Sequence, residues 1–235
     1  MRLLKENYEG LKEVNILSGF IKDFLSDPVN QKLFRTNNFA ALYIKASSNS
    51  RYLTELLISL DIDPLDYLDH IPQYFVAYTE IKSIDIPKHI KEIRSYAFSD
   101  CTLLTNVTIP DSVIDISDYA FPYCVNLKNI TIPGDVINIG NYAFYCCESL
   151  IGITIPDRVT SIIGHNFFGC SSLTDVTIGK GVTSIGYATF YHCETLTSIN
   201  YTGTKEQWNK IKLEELWDMN SAIKSIHCAD GDVEL

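Results

Sequence analysis

The 235-residue chain has no apolar run of about eighteen uncharged residues, so no transmembrane helix is expected. Its opening stretch, MRLLKENYEGLKEVN, lacks the apolar centre of a signal peptide, because charges interrupt each short hydrophobic run. The expected location is therefore the cytoplasm. Basic residues are scarce, with 19 Lys and Arg against 29 Asp and Glu, a formal net charge of −10. No basic stripe offers phosphates a partner, which argues against direct nucleic-acid binding and against an anionic membrane surface. There is no GxSxG, no P-loop, no GxGxxG and no HExxH. The chain is therefore expected not to be an enzyme and to hold no metal or cofactor. Cysteine is odd in number, at seven, which suits a reducing compartment better than a disulfide framework.

What the sequence does have is a repeat. LTNVTIPDSVIDISDYAFPYC (104–124), LKNITIPGDVINIGNYAFYCC (127–147), LIGITIPDRVTSIIGHNFFGC (150–170) and LTDVTIGKGVTSIGYATFYHC (173–193) align without gaps at a period of 23. Leu104, Leu127, Leu150, Leu173 and Leu196 form one column. Phe98, Phe121, Phe144, Phe167 and Phe190 form a second, and Ile93, Ile116, Ile139, Ile162 and Ile185 a third. Pro87, Pro110, Pro133 and Pro156 form a fourth, continued by Gly179. Cys101, Cys124, Cys147, Cys170 and Cys193 form a fifth, so in the vicinal pair of YAFYCCESL (142–150) Cys147 is periodic and Cys146 is not.

This pattern, L-x-x-[IV]-x-I-P-x-x-[IV]-x-x-I-x-x-x-A-F-x-x-C, closely resembles the BspA-like leucine-rich repeat, a short bacterial type, over about residues 81–200. Asn166 and Thr189 depart from the Ala of the AF pair, and Gly179 from the Pro. The resemblance implies an α/β leucine-rich-repeat solenoid, predominantly β in its repeats, and with the missing signal peptide the expected location is the cytoplasm of a bacterium or of a phage-infected bacterium. It also implies a binding scaffold without naming a partner.

The period explains itself physically. In NVTI (106–109), Val107 and Ile109 point inward and Asn106 and Thr108 outward. Pro110 then ends the strand by removing a ladder N–H. VIDI (113–116) alternates again, and Phe121 and Cys124 plug the core. One turn cannot bury its own core, so turns stack about 4.8 Å apart and each column packs on its copies. A collinear cysteine column cannot surround one zinc, since its third sulfur lies about 9.6 Å from the first. Parallel Cβ vectors disfavour disulfides between turns. The column is read as buried, reduced thiols donating to backbone carbonyls. Cys146 shares the column of Asp100, Tyr123, Gly169 and His192, and is expected to face outward as an accessible thiol.

Three segments follow. Residues 1–62 carry a helical period, with Leu11, Val14, Leu17, Ile21 and Phe24 on one face and Leu53, Leu57 and Leu60 on another, and predict an α-helical N-terminal domain. Residues 63–200 form the solenoid, opened by a degenerate capping turn over 63–86. There Pro64 and Phe75 stand 23 before Pro87 and Phe98, Ile81, Ile84 and Ile86 fill the Leu104, Val107 and Ile109 columns, and Tyr78 takes the cysteine's place. Residues 201–235 form a small C-terminal cap: Thr204 and Gln207 have capping-box spacing, Trp208 and Trp217 anchor the last turn, and Asp230-Gly231 turns a terminal hairpin. Asp230 and Asp232 are too few for a calcium loop.

The candidate binding residues are on the surface. Outward strand positions form a polar grid, with Asn106, Asn129, Gly152, Asp175 and Ser198 in one column and Thr108, Thr131, Thr154, Thr177 and Asn200 in the next. It reads as a solvated sheet or as a docking face for a protein or extended peptide. After the core Phe come Tyr145, Phe168 and Tyr191, beside Tyr123 and His192, an aromatic edge suited to a protein partner. Asp61, Asp63, Asp66 and Asp69 form an acidic patch before the first turn, explained by capping or by a basic partner groove. The leading expectation is a non-enzymatic protein-interaction module. Its alternatives are an acidic inhibitor of a bacterial nuclease or immune effector from a phage or mobile element, a BspA-like surface adhesin, and an enzyme of unknown class.

Overall fold

The computed structural model describes residues 69–235. The predicted helical domain over 1–62, with Pro64, lies outside the described residues. Two sides of every turn are short parallel strands. On the first side β1 (His70–Ile71), β3 (Glu92–Ile93), β5 (Asp115–Ile116) and β7 (Asn138–Ile139) make one sheet, and β9 (Ser161–Ile162), β11 (Ser184–Ile185) and β13 (Lys212–Leu213) make a second. On the other side β2 (Ser83–Asp85), β4 (Asn106–Thr108), β6 (Asn129–Ile130), β8 (Gly152–Ile155), β10 (Asp175–Ile178), β12 (Ser198–Tyr201) and β14 (Ser225–Cys228) run parallel. β15 (Gly231–Glu234) closes this long sheet antiparallel to β14, through the turn at Asp230-Gly231.

The register is the sequence period. Ser83 pairs with Asn106, Asn106 with Asn129, Asn129 with Gly152 and Gly152 with Asp175. Copies of one column therefore stack, and Ile84, Val107, Ile130, Ile153, Val176 and Ile199 are all buried. Pro110, Pro133 and Pro156 end their strands and accept from the N–H three residues on, each at 3.1 Å. Gly179 does the same. A Cβ at 179 would lie 2.6 Å from the Asp157 backbone nitrogen, so a proline there would require the local backbone to shift.

The third side has no strands, yet it has its own ladder. Tyr96 N donates to Tyr119 O (2.8 Å), Phe98 N to Ala120 O (2.9 Å) and Asp100 N to Pro122 O (2.9 Å), and the pattern recurs turn after turn. It requires two left-handed residues per turn, four apart: Tyr96 and Asp100, Tyr119 and Tyr123, Tyr142 and Cys146, His165 and Gly169, Ala188 and His192. Such φ values are uncommon for residues with a Cβ. Here each left-handed residue's N–H meets a carbonyl of the next turn, which offsets the strain. Two tight turns leave a 23-residue repeat no room for a helix. Over the described residues the α/β expectation is thus corrected to a β-solenoid with one four-residue helix, α1 (Lys205–Trp208).

Inside, Phe98, Phe121, Phe144, Phe167 and Phe190 stack at 4.8, 5.5, 5.7 and 5.5 Å with planes within 9°. All five are fully buried. Beside them each cysteine thiol donates to a carbonyl of the preceding turn: Cys124 to Phe98 (3.1 Å), Cys147 to Phe121 (3.2 Å), Cys170 to Phe144 (3.3 Å) and Cys193 to Phe167 (3.1 Å). All seven cysteines are free thiols.

Both ends depart from the pattern. β1 pairs His70 with Glu92 and Ile71 with Ile93, a spacing of 22, and Val76 N donates to Ala97 O as Phe98 N does to Ala120 O. Val76 therefore holds the phenylalanine slot and Phe75 the alanine slot. Thr79, buried, holds the cysteine slot, while Tyr78 is 63% exposed. This corrects the expected register, in which Phe75 and Tyr78 took the Phe98 and Cys101 columns. The cause is one residue fewer between Thr79 and Ile81 than between Cys101 and Leu104. At the other end Phe190 N donates to Trp217 O, so Trp217 fills the alanine slot and lies edge-on to Phe190 at 6.2 Å. Thr204 and Gln207 form the capping box of α1, whose Trp208 is buried against Tyr201 and Trp217. Asp230 Oδ1 accepts from Lys205 N at 2.7 Å, tying the terminal hairpin to α1. Among the described residues no helix is long and apolar enough to cross a membrane.

Candidate docking surfaces

The long sheet presents Asn106, Asn129, Gly152, Asp175 and Ser198 in one outward column and Thr108, Thr131, Thr154, Thr177 and Asn200 in the next, because strand residues alternate across the sheet. Asn106, Asn129, Asp175, Thr131 and Thr154 are exposed, and Thr177 is half-buried. The grid is not uniform. β6 is only two residues long and pairs with β8 at Asn129 and Gly152 alone. Gly152 adds no side chain, so a notch of about 240 Å³ opens, lined by Asn129, Ile130, Thr131, Gly152, Ile153, Thr154 and Asp175. Asn106 and Thr177 lie outside it.

A different surface runs along the left-handed side. Tyr145, Phe168 and Tyr191 stack at 5.0 Å per step, with planes within 19°. His192 meets Tyr191 edge-on at 4.4 Å, and Tyr123, 45% exposed, meets Tyr145 edge-on at 5.3 Å. The structure thus brings these five candidates together. Burial pushes the Tyr145 phenol up to about 12, with Cys146 and Tyr123 adding to the effect. Cys146 is half-buried, and burial raises its thiol above the usual range.

A second stack, which the sequence reading missed, runs parallel to the first. Tyr74, Tyr96, Tyr119, Tyr142 and His165 lie at 5.1, 4.8, 4.5 and 4.5 Å with planes within 15°. Tyr142 touches Tyr145 at 5.5 Å and His165 touches Phe168 at 6.0 Å, joining both stacks into one aromatic ridge. Burial lowers the His165 pKa and raises those of Tyr96 and Tyr119. The signal was available: Tyr96, Tyr119 and Tyr142 stand two residues before the core Phe in three successive turns.

Of the acidic patch, Asp61, Asp63 and Asp66 lie outside the described residues. Asp69 is exposed but engaged, 2.7 Å from His70 Nδ1, and that hydrogen bond holds its carboxyl below the usual range. Among the described residues no three His, Cys, Asp or Glu side chains gather as a metal site.

Comparison with known proteins agrees with this geometry. No curated protein matches the chain. A leucine-rich cell surface protein from Faecalibacterium prausnitzii is similar in structure with a TM-score of 0.54 and 34% identity, over 56% of this chain and 35% of that one. A leucine-rich repeat protein from T. pallidum has a TM-score of 0.53 and 27% identity, over 54% of this chain and 60% of that one. The match thus spans less than two thirds of either relative. The family model of the BspA-type leucine-rich repeat region matches residues 69–197 in six copies, more than half of the sequence, and the chain belongs to that family.

Proposed function

We propose that this chain is a non-enzymatic protein-interaction module that offers a partner protein a rigid aromatic edge. The observation that carries this reading is the ridge, in which Tyr145, Phe168 and Tyr191 stack on one another while a second stack braces them. Aromatic side chains are favoured interface anchors. Rings already held by their neighbours lose little freedom on binding, so less of the contact energy is spent on ordering. The seven free thiols fit a reducing cytoplasm.

The test is affinity capture with the whole chain, beside a Tyr145→Ala, Tyr191→Ala double variant whose circular dichroism matches the parent. A partner retained by the parent and lost by at least about thirtyfold, as expected for two anchor residues, supports the reading. Equal capture by both removes the ridge as the docking edge.

A surface adhesin is the second reading, supported by the 34% identity to a leucine-rich cell surface protein. Fractionation of cells expressing the full gene separates the two: protein confined to the cytosol sinks the adhesin, and protein on intact cells sinks the cytoplasmic module.

A further inference from the structure

The ridge does not account for the notch at Gly152, which opens on another side of each turn. Its polar groups are uncommitted. Threonines at the corners of the turns are engaged with carbonyls: Thr105 donates to Lys82 O, Thr174 to Ile151 O and Thr183 to Thr160 O. No described residue hydrogen-bonds the side chains of Asn129, Thr131 or Thr154, which line the notch. Asp175 is engaged only weakly, accepting from Asn200 Nδ2 at 3.4 Å, and the wall holds no other charged group.

Within its strands this face has one sign, while the exposed Lys82, Lys128 and Lys224 stand at its edge, directly before β2, β6 and β14. The outward positions of its eight strands carry the carboxylates Asp85, Asp175, Asp232 and Glu234 and no Lys or Arg. Their one basic side chain, His227, is 2.9 Å from Asp232. An anion entering the notch would meet an uncompensated carboxylate. A cation would meet that carboxylate plus an amide oxygen and two hydroxyls able to accept. The notch, about 240 Å³ and open to solvent, has room for the end of one long side chain. A guanidinium suits it better than an ammonium, because its planar fork can donate to Asp175 and to a neighbouring oxygen together.

We infer that the Gly152 notch is a binding site for an arginine side chain of an extended partner segment lying on the long sheet. The site is independent of the ridge. The glycine is what opens it: a Cβ there would meet Asp175 O at 3.4 Å and Asp175 Cβ at 3.5 Å, ordinary contacts, so a side chain would fill the space without displacing backbone.

The experiment is an NMR titration of the ¹⁵N-labelled full chain at low salt with the peptide acetyl-Gly-Ser-Arg-Ser-Gly-amide. Its control replaces arginine by citrulline, of the same shape without the charge. Saturable shifts at the Gly152, Thr154 and Asp175 amides are expected, at least tenfold weaker with citrulline. Asp175→Asn should remove the preference for arginine, and Gly152→Leu should block both peptides while the rest of the spectrum stays in place. The Tyr145→Ala, Tyr191→Ala variant should titrate as the parent does, so failure of the ridge reading leaves this result standing. Equal affinity for the two peptides, shifts confined to other residues, or no saturation would overturn the inference.

Discussion

The thiol of Cys147 donates to the carbonyl of Phe121 in the preceding turn, 3.2 Å away, and the same relation joins Cys124 to Phe98, Cys170 to Phe144 and Cys193 to Phe167. Cys101 completes the column with Val76 O at 3.1 Å. All five are fully buried, whereas Cys146 and Cys228 are half-buried. A thiol reagent on the native chain should therefore modify Cys146 and Cys228 first and the five column thiols only after denaturant is added. Peptide mapping by mass spectrometry reads this directly. Rapid native labelling of Cys147 or Cys170 would contradict the buried column.

The column also makes stability depend on pH. Burial penalises the thiolate and pushes Cys193 up to about 12, from an ordinary value of 9.0. Between those values the folded chain holds a proton that the unfolded chain has lost. The thiol's contribution is therefore whole below pH 9 and declines as pH rises, by about 1.4 kcal/mol per unit. Cys193→Ala should be less stable than the parent at pH 8, and the gap should narrow by about 1 kcal/mol between pH 9 and 10, where the unfolded thiol is still partly protonated. Urea denaturation at several pH values measures it; a gap independent of pH would show that the folded thiol titrates normally.

The columns were legible because stacking makes sequence period and spatial neighbour the same thing: Leu104, Phe121 and Cys124 recur at 23 and are buried at 23. The polar grid followed from alternation alone. Less legible was whatever depends on a break in the period. The notch needs the shortness of β6 as well as Gly152, and only the first of these is invisible to a column reading. The Tyr96 column went unread, because these tyrosines sit in left-handed turns, outside the alternation that marks the strand positions.

The opening turn gives a sharp test of register. One missing residue moves Thr79 into the cysteine slot, where its hydroxyl donates to Val76 O at 2.6 Å, and turns Tyr78 to solvent. A cysteine at 79 should resist a thiol reagent in the native chain, as Cys101 does, and a cysteine at 78 should react at once. The opposite order would restore the unbroken 23-residue register.

Asn166 shows how a departure from the repeat can leave a defect. It occupies the slot of Ala97, Ala120 and Ala143, and its Nδ2 donates to Ile163 O at 2.9 Å. Its Oδ1 is buried with no partner among the described residues. One turn later Thr189 fills the same slot and donates to Gly186 O at 2.7 Å, with no second polar atom left over. Asn166→Thr should keep the bond to Ile163 and delete the unpaired oxygen, whose burial costs about 1–3 kcal/mol. A gain of about 1 kcal/mol in urea denaturation is expected. Asn166→Ala should gain less, since it removes the donor along with the orphan oxygen. If threonine is no more stable than asparagine, Oδ1 has a partner in solution and the slot carries no defect.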